Sequence, residues 1–126
     1  MSMRTPLGKA RGLGTGHSGT EHFWRERLTS LAGIPLIIFV VIFVMVMHAA
    51  DHASLVRAIR NPFIAIGLLL AIVNIAYHMC LGMRVIIEDY IATKWRRTVV
   101  LILSNFYCAV IAMAGVYAVL RISFGN

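Results

Sequence analysis

Charge is the first thing this sequence lacks. Only 13% of its 126 residues are Asp, Glu, Lys or Arg, against 60% hydrophobic ones. A soluble domain this small needs far more polar surface to stay in solution. The shortage is concentrated, because residues 31–50, 61–83 and 98–120 contain no Asp, Glu, Lys or Arg. Strictly alternating polar positions are also missing, which excludes the strands of a membrane β-barrel. Cysteine is scarce: Cys80 and Cys108 lie in different apolar runs and form no C-x-x-C pair. They read as buried free thiols that pack as small apolar side chains. No nucleophilic triad, phosphate-binding loop or zinc motif is present, nor any internal repeat or low-complexity tract. Without an inverted repeat, the chain has little in common with the common transporter designs.

What is there fits a bilayer. Each uncharged run matches the roughly 20 residues that a helix needs to cross a hydrocarbon core about 30 Å thick. The sequence therefore predicts an all-α integral membrane protein with three transmembrane helices, over about 31–50, 61–86 and 98–120. Residues 1–30 form an N-terminal tail and interfacial segment, and residues 31–126 the three-helix anchor. The first run is longer than a signal-sequence core and follows about 30 mostly polar residues, so it reads as a retained span, not a cleaved leader. The first 20 residues, rich in Gly, Ser, Thr and Arg, read as a flexible or partner-bound tail. A helix beginning near a Thr20 cap would then carry Phe23 and Trp24 at the headgroup level. Gly33 and Pro35 suggest a bend, with the Thr29 and Ser30 hydroxyls available to the backbone groups it frees. The segment "DHASLVRAIRN" reads as a short loop, and Pro62 suits the first turn of the second span. In the third span, Ser104, Cys108, Ala112 and Gly115 form a stripe of small residues that lets another helix approach closely.

Basic residues set the orientation. Those at 4, 9, 11, 25, 27, 84, 94, 96 and 97 lie on one side of the membrane, and only Arg57, Arg60 and Arg121 on the other. This asymmetry predicts an N-terminus on the cytoplasmic or matrix side and a C-terminus outside. The net charge of +7 then reflects topology and attraction to anionic lipid headgroups. It does not point to nucleic acid, since no soluble domain remains to carry such a surface.

Chemistry concentrates in "YHMCLGMRVIIEDY", residues 77–90. His78 lies within the second span, where a charged imidazole is expensive, so it is expected to be neutral and partnered. Two roles suit it: a packing histidine bonded to a neighbouring helix, or an axial ligand to haem iron. Asn74, His78, Gly82, Val85 and Asp89 share one side of the helix, which Gly67 and Ala71 extend toward the other membrane face. Gly82, one turn from His78, leaves room either for a helix or for something flat such as a porphyrin. Asp89 and Tyr90 follow about 16–18 Å further along an unbroken helix. A Tyr hydroxyl can donate to a quinone carbonyl, and an Asp at the rim can relay protons. The plainer roles are an interfacial tyrosine and a solvated acid. Arg27 or Arg84 could grip a cofactor carboxylate, with Arg84 the more ordinary anchor. His48 and His52, near the opposite face, make a weak metal pair.

The run "HMCLGMRVIIEDY" resembles the small membrane-anchor subunit, D-type, of succinate dehydrogenase (respiratory complex II). That family pairs a haem-ligating histidine with a Gly-Met pair one turn on and an Asp-Tyr pair closing the helix. His78, Gly82, Met83, Asp89 and Tyr90 match it in type and spacing. "HFWRERLTSLAGIPL" resembles the approach to the family's first helix, with Arg27 at the place of an arginine near the haem propionates. The resemblance implies half of a six-helix, two-chain bundle that holds haem b between one histidine from each chain. The implied partners are a second, C-type cytochrome b anchor subunit, an iron–sulfur subunit and a flavoprotein subunit. It implies no dicarboxylate chemistry on this chain. His78 would be the haem iron ligand, while Tyr90 and Asp89 would serve ubiquinone. The implied location is the bacterial inner membrane or the mitochondrial inner membrane. The alternatives are a fumarate reductase-type anchor, a haem-free scaffold, or a small proton channel using His78 and Asp89.

Overall fold

The computed structural model describes residues 5–7 and 16–125. The basic positions at 4, 9 and 11, and the tail over 1–4 and 8–15, lie outside the described residues. Among residues 16–125 four helices follow in order: α1 (Gly16–Met47), α2 (His52–Ile59), α3 (Pro62–Tyr90) and α4 (Lys94–Phe124). Among the described residues there is no strand. Three helices are long and apolar enough to cross a membrane, over Phe23–Met47, Pro62–Tyr90 and Lys94–Phe124.

Each of these three helices extends past its uncharged run at one end or both, because the flanking charged residues still favour helix. The chain is already helical at Gly16, so Thr20 lies inside α1 and not at its start. The helix also runs unbroken through Pro35. Proline removes the bond to the Leu31 carbonyl, yet the nearby hydroxyls do not serve that group. Thr29 Oγ1 donates toward the carbonyls of Arg25 and Glu26, and Ser30 Oγ donates to that of Glu26. A hydroxyl in a helix reaches back toward the preceding turn, not forward.

The segment expected to be a loop contains α2, a helix of eight residues. Its apolar positions Leu55, Val56 and Ile59 sit on one side, and Ile59 is buried with Ala65 and Val119. The Arg60 guanidinium donates to the carbonyls of Ile122 and Gly125, and Ser123 Oγ donates to the Ile59 carbonyl. These contacts tie α2 to the end of α4, where the last helical carbonyls would otherwise lack donors. α3 starts as the sequence predicts, with Asn61 accepting from the Phe63 amide at 3.0 Å and proline in the first turn.

α3 is the central helix, and both α1 and α4 pack on it. Packing between membrane helices rests on close approach, since lipid is as apolar as leucine. Here the small residues face the contacts. A Cβ on Gly67 would come within 2.8 Å of the Phe39 ring of α1, and one on Gly115 within 2.9 Å of Ile72. The predicted α4 stripe is thus a packing face against α3, with Cys108 buried and Cys80 half-buried opposite it. The interior is thin: five of its buried residues, Ala65, Ala71, Ala76, Leu81 and Ile87, belong to α3. No polar or charged residue is buried among the described residues. Most apolar side chains of α1 and α4 therefore face outward, toward lipid or another chain.

Candidate functional site

α1 and α3 run antiparallel, which places two pairs of residues one helical turn apart opposite each other. Thr29 and Gly33 on α1 meet His78 and Asn74 on α3. Thr29 Oγ1 lies 3.0 Å from His78 Nδ1. Asn74 Nδ2 donates to the Thr29 carbonyl at 3.2 Å. Gly33 makes room for that amide, because a Cβ there would lie 3.1 Å from Asn74 Nδ2. Hydrogen bonds between membrane helices contribute roughly 0.6–2 kcal/mol each. The packing role open to His78 is thus filled, by its Nδ1.

The other ring nitrogen remains. Among the described residues, Nε2 has no hydrogen-bond partner and no unpartnered polar side-chain atom is sealed from the surface, so Nε2 is open to the surface of the described fold. One turn further along α3, a Cβ on Gly82 would meet nothing within 4 Å. The shared side of α3 therefore divides in two. Gly67, Ala71, Asn74 and His78 lie at or near the α1 contact, whereas Gly82, Val85 and Asp89 are left uncovered or only partly covered by this chain. Of the two uses suggested for Gly82, helix packing is not made within this chain.

α3 persists to Tyr90, so Asp89 and Tyr90 do stand at its rim, about 16–18 Å beyond His78. Tyr90 is 86% exposed, and neither side chain has a hydrogen-bond or ion-pair partner among the described residues. Tyr90 lines a cleft of 470 Å³ together with Thr93, Trp95, Arg96 and Val99. That volume falls in the range of about 300–1,000 Å³ common to small-molecule sites. The turn forming its floor is held by Arg97, whose Nε donates to the Ile91 carbonyl at 2.9 Å. Sequence gave Arg96 no role beyond orientation; the aromatic and basic character of Trp95 and Arg96 beside a tyrosine was the available signal.

The arginines separate by partner. Arg84 is paired with Glu88 at 2.8 Å, and Arg25 with Glu21 at 2.8 Å. Arg27 has no acidic partner among the described residues, and its guanidinium lies over the Phe23 ring at 4.5 Å. It is two residues from Thr29, or about 200° around α1, so the helix does not bring it to His78. It borders instead an open groove with Phe23, Trp24 and Ser30. At the opposite membrane face, His48 Nδ1 contacts the Met45 carbonyl. Among the described residues, no group of three or more His, Cys, Asp or Glu could hold a metal ion.

Known proteins match this chain along most of its length. Residues 1–116 match the family model described as succinate dehydrogenase/fumarate reductase transmembrane subunit. The succinate dehydrogenase hydrophobic membrane anchor subunit of Paracoccus denitrificans is 32% identical over 124 residues, covering 96% of this chain and 93% of that protein. The subunits of the same description from Rickettsia conorii and Rickettsia bellii are 31% and 28% identical. Their matches cover 87% and 92% of this chain, and 88% and 93% of theirs. No solved structure matches at a significant level. A three-helix membrane architecture with a match along nearly its whole length places this chain in the succinate dehydrogenase/fumarate reductase transmembrane subunit family, among the hydrophobic membrane anchors.

Proposed function

We propose that this chain is the D-type half of the membrane anchor of a succinate:quinone oxidoreductase, holding haem b through His78 and forming part of the ubiquinone site around Tyr90. One observation carries the reading: His78 is fixed through Nδ1 while Nε2 stays open, one turn from empty space at Gly82. A lone imidazole does not retain a bare metal ion, which needs several protein ligands. It can complete the coordination of iron already held in a macrocycle. A second axial histidine would then come from another chain, which also suits the thin interior and outward apolar faces of this one. Haem bound there supplies a one-electron carrier within the bilayer.

The residues of this chain divide the work. His78 ligates, Gly82 leaves room, and Arg27 offers its planar fork to a carboxylate seated against the open face of α1. At the rim, the Tyr90 hydroxyl donates to a quinone carbonyl and Asp89 passes protons from water. The C-type anchor, the iron–sulfur subunit and the flavoprotein complete the assembly, which carries electrons from succinate to quinone. The dicarboxylate chemistry belongs to those other subunits. The N-terminus and the Tyr90 rim face the cytoplasm or matrix, by the excess of Lys and Arg there.

Gly82→Leu tests the reading. Within this chain the new side chain meets nothing at its Cβ, and replacing a helical glycine favours the helix by roughly 0.5–1 kcal/mol. The variant is expected to fold and insert normally while the purified complex loses most of its b-haem, measured by pyridine haemochrome against protein. Full haem content would contradict the proposal.

A further inference from the structure

We propose that Thr29 is a positioning residue for His78: its hydroxyl accepts from Nδ1–H across the α1–α3 contact, which fixes the imidazole tautomer that keeps the lone pair on Nε2. The proposal rests on the reading of His78 as an iron ligand and adds to it a residue on a different helix. Its basis is hydrogen-bond arithmetic. Thr29 Oγ1 has three neighbours within bonding distance: the Arg25 carbonyl at 2.9 Å, the Glu26 carbonyl at 3.0 Å and His78 Nδ1 at 3.0 Å. A hydroxyl carries one hydrogen, and carbonyls only accept. With that hydrogen directed to the carbonyls of the preceding turn, the remaining lone pairs face Nδ1, which must be the donor. The proton positions follow from this network. A neutral imidazole that donates from Nδ1 has its acceptor, and its metal-binding lone pair, on Nε2.

The surroundings hold this arrangement from both sides. Threonine is stiff at χ1, and back-bonding to the preceding turn is one of its preferred helical states. The Thr29 backbone is itself gripped by Asn74, one turn before His78, and Gly33 permits the close approach. Imidazole ligands generally have such a partner on the second nitrogen, which raises ligand basicity and orients the ring. Here it is an uncharged hydroxyl, suited to a site where a carboxylate would be costly.

The test uses the purified four-subunit complex with Thr29→Val and Thr29→Ser, beside His78→Ala. Valine keeps the shape and removes the hydroxyl; serine restores the oxygen. The midpoint potential of the b-haem is measured by redox titration, and its axial ligation by low-temperature electron paramagnetic resonance. Thr29→Val is expected to raise the potential, because a less basic imidazole loses ferric iron more than ferrous. A tenfold difference between the two corresponds to about 59 mV for one electron. Thr29→Ser is expected to recover most of that shift. If His78→Ala abolishes the b-haem signal but Thr29→Val keeps the wild-type potential, the Thr29 role is wrong and the His78 reading stands. An equal shift in the valine and serine variants likewise overturns the Thr29 role, by showing that the helix contact and not the hydroxyl matters. A wild-type signal in His78→Ala overturns both.

Discussion

Replacing Tyr90 with phenylalanine is expected to lower succinate-driven quinone reduction about 10- to 100-fold while leaving succinate oxidation by a soluble artificial acceptor unchanged. The asymmetry follows from where Tyr90 sits. It closes α3, is 86% exposed, and has no side-chain partner among the described residues. Removing its hydroxyl therefore breaks no bond that holds the fold. Phenylalanine keeps the ring that lines the cleft with Trp95 and Arg96. What is lost, on the proposed reading, is one donor to a carbonyl oxygen that gains charge as the quinone is reduced. A neutral hydrogen bond contributes about 1 kcal/mol in net terms, and a donor aimed at developing charge contributes about 3–4 kcal/mol. The expected loss lies between those cases and falls on the quinone reaction alone. The two assays on one preparation check it. Equal loss of both activities would point to misassembly and contradict a local role for the hydroxyl.

Much of this architecture was legible because the bilayer imposes blunt rules. A run of some 20 residues without charge leaves little alternative to a spanning helix, and the structure has three such helices. The small-residue stripe of α4 was legible for the same reason, since only small residues allow the close approach seen between Gly115 and Ile72. α2 was hidden because eight residues at an interface carry too short a period to distinguish helix from loop. Only Leu55, Val56 and Ile59 hinted at its apolar side. The helical turn before Thr20, read as part of the tail, was hidden because Gly16, Ser18 and Gly19 are weak helix formers.

Within the site, spacing along one helix was readable and pairing between helices was not. His78, Gly82, Asp89 and Tyr90 follow from the period of α3 alone. The contact between Thr29 and His78 joins residues 49 apart, and no local pattern encodes it. Sequence instead assigned the Thr29 hydroxyl to the backbone near Pro35. Sequence read Arg84 as the more ordinary anchor of the two arginines, and its ion pair with Glu88 is the contact that spacing did not name.

The largest expected effect belongs to His78. Its alanine variant removes the one imidazole that α3 places inside the span, together with its bond to Thr29. The structural cost is modest, about 1 kcal/mol for an interhelical hydrogen bond in a membrane, so the α1–α3 contact should survive through Asn74, Gly33 and Gly67. On the proposed reading, the cost to iron coordination is the whole ligand. The direct measurement is the reduced-minus-oxidised absorption spectrum of the gently solubilised complex, wild type beside His78→Ala. The account predicts a b-type haem spectrum in the wild type that disappears or shifts in the variant, with all four subunits still present. An unchanged spectrum would contradict it and leave this chain the work of tethering alone.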